Sequence, residues 1–252
     1  MPTARFSTLA CTAAALTAAL SAAPAFGGAS VPWTTPAGTT DDFAFTAGGS
    51  ANGLVNTPVT GNYFLLFFPA NFNAVASNDD AGSITETLYV QLVANPGTYF
   101  TDVTVHLTGD YTVLGPGVVD AGGLLTVTDI ATNDAASGNM AFTPLPVMTG
   151  LPMQQLEGPG EQTQPGSAEG TFTGTTTVAT GGLWESVMLK LEMNLDAAGG
   201  PGGTSQIAGK ILEIEAQTAV VPLPSALLAG PLGLAAVGFA RRRFAGRRAV
   251  KA

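Results

Sequence analysis

The sequence predicts an all-β protein whose main domain is an antiparallel, jelly-roll-like β-sandwich, and three observations lead to this class. Only 11% of the 252 residues are charged, against about 25% in average proteins. The 32 glycines and 17 prolines supply many turn residues, which suits short strands better than helices. Segments with alternating apolar and polar residues recur between these turns, as half-buried strands require.

The alternation and its turn punctuation predict eight to ten strands. One segment, residues 63–68, is a continuous apolar run that ends at Pro69, which indicates a central strand buried on both faces. Glycine- or proline-containing turns are expected at residues 95–97, 115–117, 122–123, 181–182 and 199–203. The other predicted strands are residues 42–47, 84–94, 99–107, 111–114, 124–131, 170–179, 183–195 and 205–216.

Residues 135–169 fit no strand pattern, because five prolines interrupt them. A loop of this length inside a compact domain is uncommon and is usually functional or disordered. Its apolar first part, residues 140–156, is expected to pack on the sandwich or to meet a partner, and its polar second part, residues 157–169, is expected to be mobile. An insertion without a role is the alternative.

Charge is unevenly distributed along the chain. All 18 acidic residues lie between Asp41 and Glu215, and residues 26–221 contain two lysines, so that this segment has a net charge of −16. Such a surface repels phosphate backbones and excludes nucleic acid as a partner. Cations, neutral glycans and other proteins remain open, as does a plain role of the charge in solubility.

Residues 1–25 have the three-part form of a secretory signal peptide. Arg5 supplies the positive charge, and residues 6–23 form an apolar segment rich in alanine and leucine. Ala23 and Ala25 place small side chains at the positions that a signal peptidase reads, so cleavage is expected after Ala25. The mature chain would then begin at Phe26 and be exported.

The other end of the chain predicts a transmembrane helix. Residues 223–240 contain no charged side chain, and 18 residues of helix span about 27 Å, close to the hydrocarbon thickness of a bilayer. Pro224 and Pro231 would kink it. Arg241, Arg242 and Arg243 follow directly, and basic residues resist translocation, so the tail is expected inside and the domain outside.

This C-terminal region resembles the PEP-CTERM sorting domain over roughly residues 220–252. The resemblance rests on Val221-Pro222-Leu223-Pro224-Ser225, the apolar helix, and the basic cluster at Arg241, Arg242 and Arg243. Pro222 and Pro224 match the two prolines of the family's motif, and Leu223 stands where the family usually has Glu. The resemblance implies processing by an exosortase near the motif, a transient membrane anchor, and release to the cell envelope or the extracellular matrix. It divides the chain into a signal peptide (1–25), an ectodomain (26–219) and a sorting signal (220–252).

No constellation of catalytic residues can be recognised. Cys11, the sole cysteine, lies in the signal peptide, so the mature chain has no disulfide, thiolate site or cysteine nucleophile. His106, the sole histidine, shares a strand face with Thr104 and Thr108, which places it away from the core. Zinc sites need three or four His or Cys ligands, and a Gly-x-Ser-x-Gly elbow is absent. The ectodomain is therefore predicted not to be an enzyme.

Two kinds of binding site remain as hypotheses. Calcium prefers carboxylate and carbonyl oxygens, and its first candidate site is the acidic turn with a following glutamate: Asn78, Asp79, Asp80 and Glu86. Weaker candidates are Asp41 with Asp42, and Asp129 with Asp134. Trp33 and Trp184 could stack on sugar rings, although core or edge packing is the commoner role of tryptophan.

Two functions follow from these observations. The first is a structural or adhesive, non-catalytic component of the cell surface or extracellular matrix, with an exosortase-like enzyme as processing partner and exopolysaccharide or matrix proteins as further partners. The second is a glycan- or calcium-binding β-sandwich module. No cofactor is expected, calcium apart. Asp side chains that converge, or aromatic residues exposed at a concave surface, would favour the second.

Overall fold

The computed structural model describes residues 31–148 and 166–222, which form two antiparallel β-sheets and no helix. The strands are β1 (Val31–Pro32), β2 (Gly38–Thr39), β3 (Phe43–Ser50), β4 (Val59–Thr60), β5 (Phe64–Phe67), β6 (Asn73–Ser77), β7 (Ala81–Ala94), β8 (Thr98–Leu114), β9 (Gly117–Asp129), β10 (Ala135–Asn139), β11 (Ala141–Phe142), β12 (Val147–Met148), β13 (Ser167–Trp184), β14 (Ser186–Gly199) and β15 (Thr204–Val220).

The two sheets, here called sheet A and sheet B, form a β-sandwich. Sheet A has the order β1-β3-β7-β14-β9-β10, with β2 paired to β3 and β12 paired to β9. Sheet B has the order β11-β13-β8-β15-β5-β4, with β6 paired to β15. Part of the pairing is nested along the chain, because the pair of β8 with β13 lies inside the pair of β7 with β14, and both lie inside the pairs of β15 with β5 and β6.

Strict alternation along the long strands builds the core. In β8 the side chains of Val103, Val105 and Leu107 are fully buried, whereas His106 between them is only partly buried on the outer face. The alternation in β14 buries Val187, Leu189, Leu191, Met193 and Leu195 in the same way. Since each large side chain removed from water contributes about 1.5–3 kcal/mol, this alternation fixes the register of both strands.

The apolar run at residues 63–68 is not a central strand, contrary to the prediction. It forms β5, which is flanked by β15 and by the two-residue edge strand β4. Leu65 and Phe67 are fully buried, whereas Phe64 and Leu66 are partly exposed and Phe68 is 56% exposed. The prediction fails because no further layer covers the outer face of sheet B in the described part of the chain.

Three predicted boundaries were also wrong. Residues 99–107 and 111–114 belong to one strand, β8, and Gly122–Gly123 lies inside β9 rather than in a turn. The segment predicted as a loop, residues 135–169, contains β10, β11, β12 and the start of β13. Its Ala-Ala-Ser-Gly-Asn strand lacks large apolar residues, so no alternation reveals it.

The remaining expectations concern residues that are not described. The signal peptide with Ala23 and Ala25, the helix at residues 223–240, Arg241–Arg243, and residues 157–165 of the segment predicted to be mobile all lie outside the described residues. Across residues 31–148 and 166–222, no helix has the length and apolar character needed to cross a bilayer.

Candidate functional site

A cleft of about 680 Å³ opens at the end of the sandwich where sheet A and sheet B separate. Its wall on the side of sheet A is the turn between β9 and β10, and its wall on the side of sheet B is the end of β13. The chain crosses from one sheet to the other at Glu185, which lies in the lining. The cleft is lined by Asp129, Ala131, Thr132, Asp134, Ala135, Ala136, Ala179, Gly181, Gly182, Leu183, Trp184, Glu185 and Ser186.

A wide bulge in β13 shapes the wall on the side of sheet B. Ala179 pairs with Asp102 and Trp184 with Phe100, so four residues of β13 face a single residue of β8. The hydroxyl of Thr180 anchors this bulge by donating to the carbonyl oxygens of Phe100 and Thr101. Bulges of this kind redirect side chains and are common beside functional sites. The sequence predicted a turn at Gly181–Gly182, and the structure shows this bulge instead.

The bulge brings the edge of a tryptophan to the cleft. Trp184 is 7% exposed, and an added Cβ at Gly182 would lie 3.5 Å from its Nε1. Among the described residues, Nε1 of Trp184 has no hydrogen-bond partner. Every buried side-chain nitrogen in that part of the chain does have a partner, so Nε1 is not buried. The exposed fraction of Trp184 therefore includes Nε1, which can donate a hydrogen bond to a molecule in the cleft.

Two carboxylates organise the opposite wall. Asp129, 3% exposed, accepts a hydrogen bond through Oδ2 from the backbone N–H of Thr132 at 2.9 Å. The hydroxyl of Thr132 lies 2.8 Å from that oxygen and 2.9 Å from Oδ2 of Asp134. Asn133 closes the turn with a φ of 64°, a conformation that asparagine tolerates. The two carboxylates thus lie close together and share the single hydroxyl proton of Thr132, which can donate to only one of them at a time.

Ordered backbone contacts hold both walls in place. The N–H of Ile130 donates to the carbonyl of Ser186 at 3.0 Å, and the N–H of Ala94 donates to the carbonyl of Glu185 at 2.8 Å. Leu183 is 58% exposed at the rim. The cleft thus combines an indole donor, carboxylate acceptors and an apolar rim, which is the chemistry that orients a polyhydroxylated ligand.

The structure separates the residues of the first calcium hypothesis. Asn78 and Asp79 form the turn between β6 and β7 with φ values of 53° and 68°. Asp80 and Glu86 are six positions apart along extended chain, about 20 Å. Glu86 is 1% exposed and is bonded elsewhere, because its carboxylate accepts backbone N–H bonds at 3.0, 2.8 and 2.8 Å from Asn52, Leu54 and Thr87.

Glu86 is therefore an anchor for the loop after β3 and cannot share an ion with the acidic turn. Among the described residues no group of three or more His, Cys, Asp or Glu side chains is arranged to hold a metal ion. Calcium binding by residues 78–80 alone stays a prediction. Asp41 and Asp42 lie in the bend before β3, where the carbonyl of Asp42 accepts a hydrogen bond from the N–H of Asn95 at 3.2 Å.

The other two candidate residues lie in ordinary structural settings. His106 is on the outer face of sheet B, where its Nδ1 lies 3.1 Å from the hydroxyl oxygen of Thr175. Trp33 is 5% exposed, lies 5.2 Å from Phe67 between ring centroids, and donates from Nε1 to the carbonyl of Val55 at 3.0 Å. Trp33 is a core residue and is not available to a ligand.

The structure joins residues that the sequence assigned to separate hypotheses. Asp129 and Asp134 were a weak calcium pair and Trp184 a weak sugar-binding candidate, and all three line the same cleft. Thr132, Gly181, Gly182 and Glu185 were missed. The Gly-Gly pair was the one sequence signal that could have indicated this part of the cleft. A glycine pair between alternating segments, however, indicates a turn or a bulge equally well.

Comparison with known proteins gives little guidance. No protein-family model matches the chain, and no curated protein matches it. Among solved structures, the carbohydrate-binding module TmCBM61 in complex with beta-1,4-galactotriose is similar over 69% of this chain and 88% of that one, with 11% sequence identity and a TM-score of 0.21. At that TM-score the similarity carries no argument about the fold or function of this chain.

Proposed function

We propose that this chain is an exported, non-catalytic adhesive protein of the cell surface or extracellular matrix, and that its β-sandwich binds a glycan in the Trp184 cleft. The observation that carries the proposal is the indole N–H of Trp184, which lacks a protein partner within the described residues and lies beside Asp129 and Asp134. A sugar offers hydroxyl oxygens to the indole and hydroxyl hydrogens to the carboxylates. The nested strand pairing supports a jelly-roll-like topology for this module.

Isothermal titration of the purified full-length chain with oligosaccharides of glucose, galactose, mannose and N-acetylhexosamine tests this function. We expect at least one oligosaccharide to bind with a Kd below about 1 mM, a free energy near −4 kcal/mol. Trp184→Phe should weaken binding at least tenfold because the donor is removed. Trp33→Phe is the matched control, since its indole is bonded inside the core, and it should bind normally.

Two outcomes would contradict the proposal. One is the absence of binding to every oligosaccharide at millimolar concentration. The other is binding that survives Trp184→Phe but is lost in Tyr63→Ala or Phe68→Ala. Tyr63 and Phe68 are 48% and 56% exposed at the two ends of β5, so that result would move the glycan site to sheet B.

We further propose that the two ends of the chain direct export and sorting. The resemblance to PEP-CTERM clients supports this, as does the position of β15, which ends at Val220 immediately before Val221 and Pro222. An exosortase cut near Pro222 and Pro224 would then release the folded domain without breaking a strand. Export after cleavage at Ala25 would leave Phe26 as the first residue.

Fractionation of cells followed by immunoblotting tests the sorting proposal. Neutral residues in place of Arg241, Arg242 and Arg243 should weaken membrane retention, because each arginine costs about 2.5–3.5 kcal/mol to place at the bilayer centre. Replacement of Pro222 and Pro224 should leave insertion intact and let the membrane-bound precursor accumulate. A wild-type protein found soluble in the cytoplasm would overturn the proposal.

A further inference from the structure

The cleft has a one-sided charge. Among the described residues, three carboxylates line it, those of Asp129, Asp134 and Glu185, and no lysine, arginine or histidine does. The two basic residues within residues 31–148 and 166–222 are engaged elsewhere, because Lys190 pairs with Glu192 at 2.9 Å and Lys210 with Asp110 at 3.6 Å. Nothing in the described part of the cleft therefore offsets its negative potential.

The carboxylates are bonded, yet their charges are not neutralised. Asp129 accepts hydrogen bonds from Thr132, and Thr132 also lies against Asp134, but both contacts use uncharged donors. Asp129 is almost completely buried, whereas Asp134 and Glu185 are exposed at the rim. A cation in the cleft would be attracted by all three, and the attraction is stronger where water is partly excluded.

We propose that the cleft prefers glycans that carry protonated amines, such as polymers of a de-acetylated hexosamine, a preference that rests on the proposed glycan-binding function. An amino sugar satisfies both features of the site, since its ammonium group faces the carboxylates and a hydroxyl oxygen accepts from Nε1 of Trp184. A neutral sugar can donate hydroxyl hydrogens to the carboxylates, but it brings no positive charge to offset theirs. A uronic acid or sulfated sugar is repelled by the lining carboxylates.

The test compares tetrasaccharides that differ in charge, two of which share the same backbone. The full-length chain is titrated with glucosamine tetrasaccharide, its fully N-acetylated form and a galacturonic acid tetrasaccharide. Measurements are made at about pH 6, which is below the pKa of an ordinary α-amino group, roughly 7.7–8.0. At low ionic strength the amino form should bind about tenfold more tightly than the acetylated form. The advantage should shrink as salt is added, and the uronate should not bind.

Two double variants with the same charge change locate the effect. Asp134→Asn with Glu185→Gln should abolish the preference, so that the amino and acetylated forms bind with equal affinity. Asp79→Asn with Asp80→Asn removes equal charge at the opposite end of β14, about 40 Å away at roughly 3.3 Å per residue, and should keep the preference.

The outcomes separate this inference from the function on which it rests. Equal affinity for the amino and acetylated forms overturns the charge preference and leaves glycan binding intact. Failure of all three saccharides and of the neutral panel overturns glycan binding itself. A lysine tetrapeptide that competes as well as the amino saccharide, and still does so in Trp184→Phe, would show that the cleft selects charge alone and would overturn the amino-sugar proposal.

Discussion

At one end of the sandwich the turns β6–β7, β8–β9 and β14–β15 meet and close over the core, whereas at the other end the two sheets separate to form the cleft. The closed end is held by direct backbone contacts between turns. The N–H of Asn78 donates to the carbonyl of Gly203 at 3.0 Å, and the N–H of Gly200 donates to the carbonyl of Pro116 at 2.7 Å.

The two ends have similar composition and different packing. Both contain aspartates and adjacent glycines, in residues 78–80 and 199–203 at the closed end and residues 129–134 and 181–182 at the cleft. At the closed end Gly199 and Gly203 lie against the backbone of neighbouring turns, while a Cβ added at Gly181 would meet nothing within 4 Å. The presence of glycine and aspartate therefore does not distinguish a closed turn from a binding site. The free space around these residues distinguishes the two.

Alanine substitution of one glycine at each end should give the largest difference. A Cβ at Gly203 would lie against the carbonyl oxygen of Pro116, and backbone has to move to make room. We expect Gly203→Ala to lower the free energy of unfolding by about 3 kcal/mol, and Gly181→Ala to change it by less than about 0.5 kcal/mol. Urea denaturation of both variants measures this, and equal losses would refute the contrast between the ends.

Replacing one aspartate at each end should give an intermediate effect. Asp129→Asn loses a charged acceptor for the N–H of Thr132 in a buried setting, so a loss of about 1–2 kcal/mol is expected, together with weaker ligand binding. Asp80→Asn, at an exposed position, should cost less than about 0.5 kcal/mol. Thermal unfolding and titration of both variants measure the difference, and a larger loss in Asp80→Asn would contradict the account.

An ion pair midway along β14 should contribute the least. The hydrogen bond from Lys190 to Glu192 raises the pKa of the Lys190 amine, but the two side chains are 41% and 43% exposed, so Lys190→Met should change stability by less than about 0.5 kcal/mol. Because the pKa is raised, this small stabilisation is present below the unfolded pKa of about 10.4 and lost as pH rises beyond it. Unfolding curves of the variant and the parent should therefore converge in strong alkali, and a difference that grows there would contradict the assignment.

The fold class could be predicted because alternation is local information. Val103, Val105 and Leu107 show the buried face of β8 within one short stretch of sequence, and the burial confirms it. The outward position of His106 followed from the same pattern. The burial of residues 63–68 on one face only could not be predicted, since an apolar strand is compatible with burial on one face or two, and the number of layers is a tertiary property.

The cleft could not be predicted because its parts are distant in sequence. Asp129 lies at the end of β9 and Trp184 at the end of β13, and they meet through the pairing of β14 with β9 and the crossing at Glu185. The first candidate site predicted from the sequence, residues 78–80, lies at the closed end. Glu86, added to that site by proximity in sequence, faces the loop after β3 instead.

The two tryptophans allow the most direct test of the claim that the Trp184 indole is available to a ligand. The chain contains two tryptophans, so a proton–nitrogen correlation spectrum shows two indole signals, and Trp33→Phe assigns them. The Trp184 signal should exchange rapidly with deuterium and shift on addition of the glycan, while the Trp33 signal, bonded to Val55, exchanges slowly and does not move. Slow exchange of both indoles, or a shift at Trp33 with none at Trp184, would contradict the account.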